Sequence, residues 1–130
     1  MTQVDRATRC ILSWRVVQDR TGWVVQEMLH ESVPAHTYYS DGFEAYQTAL
    51  YWPAVHYPMD DKSETFSVEG DNADLRHYLA RLGRRSRCFS RCIRALTSAV
   101  KLFVYAFNRR QLARHRFPAY PHHIIDYVYP

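Results

Sequence analysis

Glycine is scarce, with four residues in 130, and none of them clusters. This excludes the glycine-rich loops that cradle nucleotide phosphates, which need several small residues in one turn. Cysteine is scarce and odd in number: Cys10, Cys88 and Cys92. Three thiols without a framework spacing exclude a disulfide-stapled secreted domain and fit a reduced compartment. Cys88 and Cys92 stand four residues apart, but structural zinc takes four ligands, so they read as small buried hydrophobes. Long apolar runs are missing as well. The most apolar stretch, residues 88–107, carries Arg91, Arg94 and Lys101, whereas a membrane span needs about 20 predominantly apolar residues. The first residues, Met1-Thr2-Gln3-Val4-Asp5-Arg6, hold no apolar signal core. No Gly-x-Ser-x-Gly elbow surrounds Ser40, which argues against a serine hydrolase.

The sharpest shortage is of acid in the second half. Residues 1–74 hold five of the 17 Lys/Arg and 12 of the 13 Asp/Glu, a balance of −7. Residues 75–130 set twelve basic residues against Asp126 alone, a balance of +11. Such segregation favours a polyanionic partner for the second half, nucleic acid or a membrane surface, and the alternative is a solvated basic face with no specific partner. What is plentiful is aromatic: ten tyrosines and three tryptophans. With 47% hydrophobic and 23% charged residues, the chain has the composition of a globular domain, and its length buries roughly two-thirds of its unfolded surface.

Local patterns give an α/β order. Residues 10–18 are β-branched and aromatic and predict a strand. Asp5 to Arg9 before them predicts a hairpin turn, which makes Met1 to Val4 the stub of a preceding strand. A helix is predicted over 22–31, with Trp23, Val24 and Met28 on its apolar face. A short strand follows at 36–40, ended by Asp41-Gly42, then a helix over 43–51 broken by Trp52-Pro53, a strand over 54–57 and a polar loop over 58–65. From Asp71 the pattern turns helical, with Leu75, Tyr78, Leu79 and Leu82 on one face and Gly83 ending it. A second helix, carrying Phe89, Cys92, Ile93, Leu96, Val100, Phe103 and Phe107, runs to about Arg110. These segments form one α/β domain over 1–110. Residues 111–130 form a Pro/Tyr/His-rich tail, which from Phe117 on reads as extended and loosely held, with His122-His123 as a surface pair.

Two acids stand out by position. Asp41 directly follows a strand, and ligands gather at strand carboxyl ends in open α/β sheets. Glu69 lies just before the basic helix. Two such carboxylates can share a divalent metal, since Mg²⁺ takes one or two carboxylates plus substrate phosphates. Taken alone the pairing is weak, since an Asp after a strand is more often a turn or cap residue, and a Glu before a helix is commonly a dipole partner.

Three segments carry a resemblance. They are Asp5-Arg6-Ala7-Thr8-Arg9 with the strand after it, Tyr39-Ser40-Asp41-Gly42-Phe43-Glu44-Ala45-Tyr46, and Glu69 through Ser90. In the last, Glu69, Asn72, Leu75, Arg76, Arg81, Leu82, Arg84, Arg85, Phe89 and Ser90 fall at fixed spacings. Over roughly residues 4–108 the chain resembles transposases of the insertion-sequence-one family. That resemblance implies an incomplete ribonuclease-H-like fold, a mixed sheet with flanking helices that lacks the first strand. It also implies metal-dependent DNA cleavage and strand transfer by an Asp-Asp-Glu triad. Asp41 would be the second Asp and Glu69 the Glu, both metal ligands, and Asn72 and Arg76 would support Glu69. Arg76, Arg81, Arg84, Arg85, Arg87 and Arg91 would grip DNA phosphates.

The first Asp of the family lies on a strand upstream of the turn that here is Asp5-Arg6, and Asp5 and Asp19 both read as turn residues. Gly70 and Asp71 replace the usual Arg and aromatic beside the Glu. The expectation is therefore a transposase fragment, inactive alone, that takes Mg²⁺ or Mn²⁺ only once the triad is assembled. Its partners would be double-stranded DNA at the element's ends, an upstream transposase segment or a second copy, and no membrane. Its place would be the bacterial cytoplasm, at the nucleoid. The alternative is a non-catalytic DNA-binding or transposase-interacting remnant that acts as a regulator.

Overall fold

The computed structural model describes residues 1–60, 66–79, 92–120 and 122–129. The chain is α/β, in the order β1 (Thr2–Val4), β2 (Ile11–Trp14), α1 (Gly22–Glu31), β3 (Thr37–Asp41), α2 (Glu44–Gln47), β4 (Val55–Met59), α3 (Phe66–Tyr78), α4 (Ile93–Arg116) and a 3-10 turn (Ile124–Tyr127).

β1 and β2 form an antiparallel hairpin with Thr2 opposite Trp14 and Val4 opposite Ile11. The expected turn is there, and its chemistry is visible. The Asp5 carboxylate accepts the Thr8 amide at 2.8 Å and the Thr8 hydroxyl at 2.5 Å. These bonds hold its pKa below the usual carboxylate value, the hydroxyl contributing most. Arg9 closes the loop at φ 63°, a left-handed conformation uncommon outside glycine.

α1 spans the expected residues. Thr21 caps it by accepting the Val24 amide, but the buried side chains are Val25 and Met28, whereas Trp23 is 72% exposed. The inward stripe is thus Val25, Met28 and Leu29, at i, i+3 and i+4. With Ala45 and Ala49 from α2 and the turn after it, Val25 forms a small core flanked by Met1, Leu29, Tyr46 and Tyr51.

The larger core gathers Ile11, Leu75, Val100, Phe103, Val104, Ala106, Phe107 and Ile124. Val100, Phe103, Val104 and Phe107 share one face of α4, at i, i+3, i+4 and i+7. Phe107 is fully buried, which stabilises by roughly 2–3 kcal/mol. Asn108 then clamps the hairpin: its amide nitrogen donates to the Ile11 carbonyl at 2.8 Å, and its oxygen accepts the Ile11 amide at 2.7 Å. This side chain does for the outer edge of β2 what a further strand would do, and it caps an edge that is otherwise prone to pairing.

Three expectations are corrected. The single mixed sheet is instead two separate two-stranded sheets, β1–β2 antiparallel and β3–β4 parallel, among the described residues. β1 and β3 each pair on one side only, and no strand among the described residues joins the two halves. α3 begins at Phe66, not at Asp71, which puts Glu69 inside its first turns. The tail is not loosely held: α4 continues past the expected boundary at 110 to Arg116, and the chain folds back so that Ile124, 4% exposed, enters the main core. His123 caps the 3-10 turn in a reciprocal capping box with Asp126. Arg109 donates to the carbonyls of Tyr127 and Tyr129 at 3.3 and 2.6 Å.

Candidate functional site

Asp41 is the last residue of β3, at the carboxyl end of a strand paired in parallel with β4. Its position follows from the strand pattern: Tyr38 and Ser40 point to one face, Thr37, Tyr39 and Asp41 to the other, more exposed face. One Asp41 oxygen accepts the Phe43 amide at 3.2 Å, a turn that aims the side chain outward where Gly42 breaks the strand. Tyr46, on α2, lies close enough that the Asp41 charge raises its phenol pKa, second to burial as the cause. Arg20 completes this corner. Its guanidinium lies 4.2 Å from the Phe43 ring centroid, and it also acts on Tyr46 and on the Met1 amino group, whose pKa falls mainly through burial. Sequence reasoning missed Arg20, because a loop residue 21 positions before Asp41 has no periodic relation to it.

The face of β3–β4 beside Asp41 carries Tyr39 and Tyr57, stacked with centroids 5.7 Å apart and 42% and 49% exposed. Arg6, from the hairpin turn, sits 5.7 Å from the Tyr39 centroid. On the opposite face the Ser40 hydroxyl and His56 Nε2 are 2.8 Å apart, with Tyr51 stacked on the imidazole at 4.0 Å. Burial lowers the His56 pKa. The Ser40 hydroxyl donates to the Asp41 carbonyl at 2.9 Å, and His56 has no orienting carboxylate among the described residues. The pair is therefore a cross-strand hydrogen bond and not a triad.

Glu69 is exposed in the first half of α3, which packs chiefly on β1 and α4. Two bonds fix this helix to the hairpin. Asn72 accepts the Thr2 hydroxyl at 2.9 Å, and Asp71 takes Arg9 in an ion pair at 3.0 Å. Asn72 thus ties the Glu69 helix to β1. Asp71 is 5% exposed, so burial raises its pKa, against the lowering effect of Arg9. Its second oxygen has no hydrogen-bond partner among the described residues. Arg76 is exposed on α3. Arg81, Arg84, Arg85, Arg87 and Arg91 lie outside the described residues.

Asp41 and Glu69 are therefore carried by different substructures, the first by the β3–β4 sheet and the second by a helix on the hairpin. Among the described residues no group of three or more His, Cys, Asp or Glu side chains is placed to hold a metal. No described helix is long and apolar enough to cross a membrane. No protein-family model matches the chain, and neither a curated protein nor a solved structure shows significant similarity to it.

Proposed function

We propose that this chain is the C-terminal part of a transposase catalytic domain, an incomplete ribonuclease-H-like unit that acts on the double-stranded ends of an insertion sequence. The observation that carries this is the placement of Asp41: an exposed carboxylate at the carboxyl end of a parallel strand, within the Asp-Gly-x-x-x-Tyr segment that resembles the family. The divided sheet supports it too. Among the described residues β1 and β3 each pair on one side only, and the Arg6–Tyr39 contact brings the hairpin turn to β3; the proposed ribonuclease-H-like unit would carry a further strand between them.

Asp41 and Glu69 would be the ligands for Mg²⁺ or Mn²⁺. Both offer hard carboxylate oxygens at exposed positions, and such ions accept one or two carboxylates with the remainder from water and phosphate. The ion would supply charge stabilisation at the scissile phosphate. Asn72 holds the Glu69 helix to the hairpin, and Arg76, with the arginines of 81–91, would take DNA phosphates. Asp5 does not serve as the first Asp of the triad, because its carboxylate is engaged by its own turn. The chain on its own is expected to bind DNA without transferring strands, and to work with an upstream transposase segment or a second copy at the bacterial nucleoid.

The second reading, a non-catalytic DNA-binding regulator, is favoured by one observation, the separation of Asp41 and Glu69 onto different substructures. The test is a salt series of duplex-DNA binding beside Mn²⁺ titration followed by water-proton relaxation. For the transposase reading, duplex binding falls steeply with salt, and Asp41→Asn and Glu69→Gln each weaken Mn²⁺ binding. Mn²⁺ binding indifferent to both substitutions leaves the regulator. A folded chain that ignores duplex DNA refutes both.

A further inference from the structure

The end of α4 and the returning tail enclose an open cleft of about 530 Å³, lined by Arg110, Arg114, Tyr120, His122 and His123 among others. Binding clefts for small organic groups run from about 300 to 1,000 Å³, so one nucleotide unit fits. No carboxylate lines the cleft among the described residues. Asp126, the lone acid of residues 75–130, is engaged in accepting the His123 amide at 3.1 Å.

The side chains divide into those that build the cleft and those that face it. His123 builds: its Nδ1 accepts the Ile125 amide at 3.3 Å, and its Nε2 lies 3.3 Å from the Tyr78 hydroxyl. Arg110 does both, since its Nε donates to the His122 carbonyl at 2.8 Å and its terminal nitrogens make no further described hydrogen bond. Arg114 is exposed and has no described partner. His122 Nε2 is enclosed and without a hydrogen-bond partner among the described residues. Tyr120 stacks one face on His122, with centroids 5.6 Å apart and planes 17° from parallel. Its other face is open, the residue being 69% exposed.

Two guanidinium groups with no ion pair among the described residues, beside an exposed aromatic ring stacked on His122, match an unpaired nucleotide, although Arg114 also borders the neighbouring cleft that holds Asp71 and Asp74. The phosphodiester would sit against Arg110 and Arg114, and the base would stack on Tyr120. Sequence-tolerant recognition of single strands has this composition, a cationic track with aromatic platforms. A duplex does not present a free base face to such a ring. We propose that this cleft binds a nucleotide of single-stranded nucleic acid, at a site separate from the Asp41 and Glu69 carboxylates. It rests on the nucleic-acid reading of the chain above, and extends it from duplex to unpaired strand.

The test is fluorescence anisotropy of the full chain with a labelled oligothymidine, and inorganic polyphosphate as a base-free competitor. Tyr120→Ala weakens oligothymidine binding about tenfold or more, and Tyr120→Phe keeps wild-type affinity. Arg114→Gln weakens binding and lowers the salt slope by about 0.7, the share of one phosphate contact on a single strand. Both residues are exposed, so thermal unfolding of the variants matches the wild type. Wild-type affinity in both Tyr120→Ala and Arg114→Gln overturns the proposal, as does an oligothymidine that the wild-type chain ignores. Equal binding of polyphosphate with Tyr120→Ala inert overturns it too, leaving a general anion patch. Mn²⁺ binding that depends on Asp41 and Glu69 alongside an inert cleft refutes the cleft alone. Oligothymidine binding through Tyr120 without such Mn²⁺ dependence upholds the cleft and refutes the transposase reading.

Discussion

Replacing Asn108 with alanine tests what holds α4 to the hairpin. The Asn108 amide satisfies both polar groups of the Ile11 peptide, at 2.7 and 2.8 Å, and Ile11 is only 3% exposed. Truncation leaves an amide and a carbonyl without partners, and each orphan costs about 1–3 kcal/mol where water is excluded. Asn108 is itself half-buried, so a water molecule entering from its open side recovers part of the loss. The balance is a destabilisation of about 2–4 kcal/mol, a large fraction of the roughly 5–15 kcal/mol that holds such a domain. Urea unfolding followed by far-ultraviolet circular dichroism reads this as a midpoint lowered by about 1–2 M.

Asn108→Asp separates the two bonds. At neutral pH the carboxylate still accepts the Ile11 amide but cannot donate to the carbonyl, so its loss falls between wild type and alanine or exceeds alanine through charge burial. Lowering the pH until the aspartate protonates restores a donor and recovers stability relative to Asn108→Ala. Hydrogen exchange adds a local readout, because the Ile11 amide, protected in the wild type, exchanges at the rate of a frayed strand in Asn108→Ala. A destabilisation below about 0.5 kcal/mol with the Ile11 amide still protected refutes the reasoning. α4 would then be docked by apolar packing alone.

Phe107→Ala truncates the largest fully buried side chain of the larger core among the described residues and is expected to cost about 3–5 kcal/mol in the same urea assay. Gly22→Ala destabilises by about 1–3 kcal/mol through overpacking, although alanine is the better helix former: the added Cβ would meet Thr48 Oγ1 at 2.1 Å. Adding Thr48→Ala to that variant recovers most of the loss, and a stabilised single variant disproves the close approach of α1 to Thr48. Asp71 gives a pH signature. Burial raises its folded pKa above 3.8, so between those two values the folded state holds more protons than the unfolded state, and stability falls as pH rises. Subtracting the Asp71→Asn profile from the wild-type profile isolates this slope from that of Asp5, whose lowered pKa acts in the opposite direction at lower pH. A flat difference between the two profiles contradicts the burial argument.

Elements with a local signature were legible. α1 has a capping threonine before a helical stripe, β3 and β4 are short β-rich runs bounded by Gly42 and Pro53, and the apolar face of α4 repeats over its buried turns. The carboxyl end of β3, and so the exposure of Asp41, followed from Asp41-Gly42 alone. What escaped depends on distant partners. α3 starts in a run holding Gly70 and polar residues, whose helicity is supported by Thr2 and Arg9, about 70 and 62 residues away. The tail looked loose because proline, tyrosine and histidine carry no periodic stripe. It is held by Ile124, with Tyr127 and Val128 packed on the same core, and by arginine bonds to backbone carbonyls, which any sequence can accept. The division of the sheet was equally hidden, since strand pairing is set by long-range register and not by composition.

The same bonds change the meaning of the charge count. An excess of basic residues reads as a polyanion surface only while their side chains face solvent unpartnered. Arg109 spends its guanidinium on the Tyr127 and Tyr129 carbonyls, and Arg9 is committed to Asp71. Arg114 and Arg76 are not committed among the described residues, so they carry the argument for phosphate contact that the net charge does not. The hairpin has a parallel place among the acids. On one side it reaches the Asp41 sheet through Arg6 and Tyr39; on the other it grips the Glu69 helix through Thr2–Asn72 and Arg9–Asp71. Because no strand among the described residues joins the two sheets, the relative placement of the two carboxylates is transmitted in part through this five-residue turn. A substitution there would move them against each other while leaving both side chains intact.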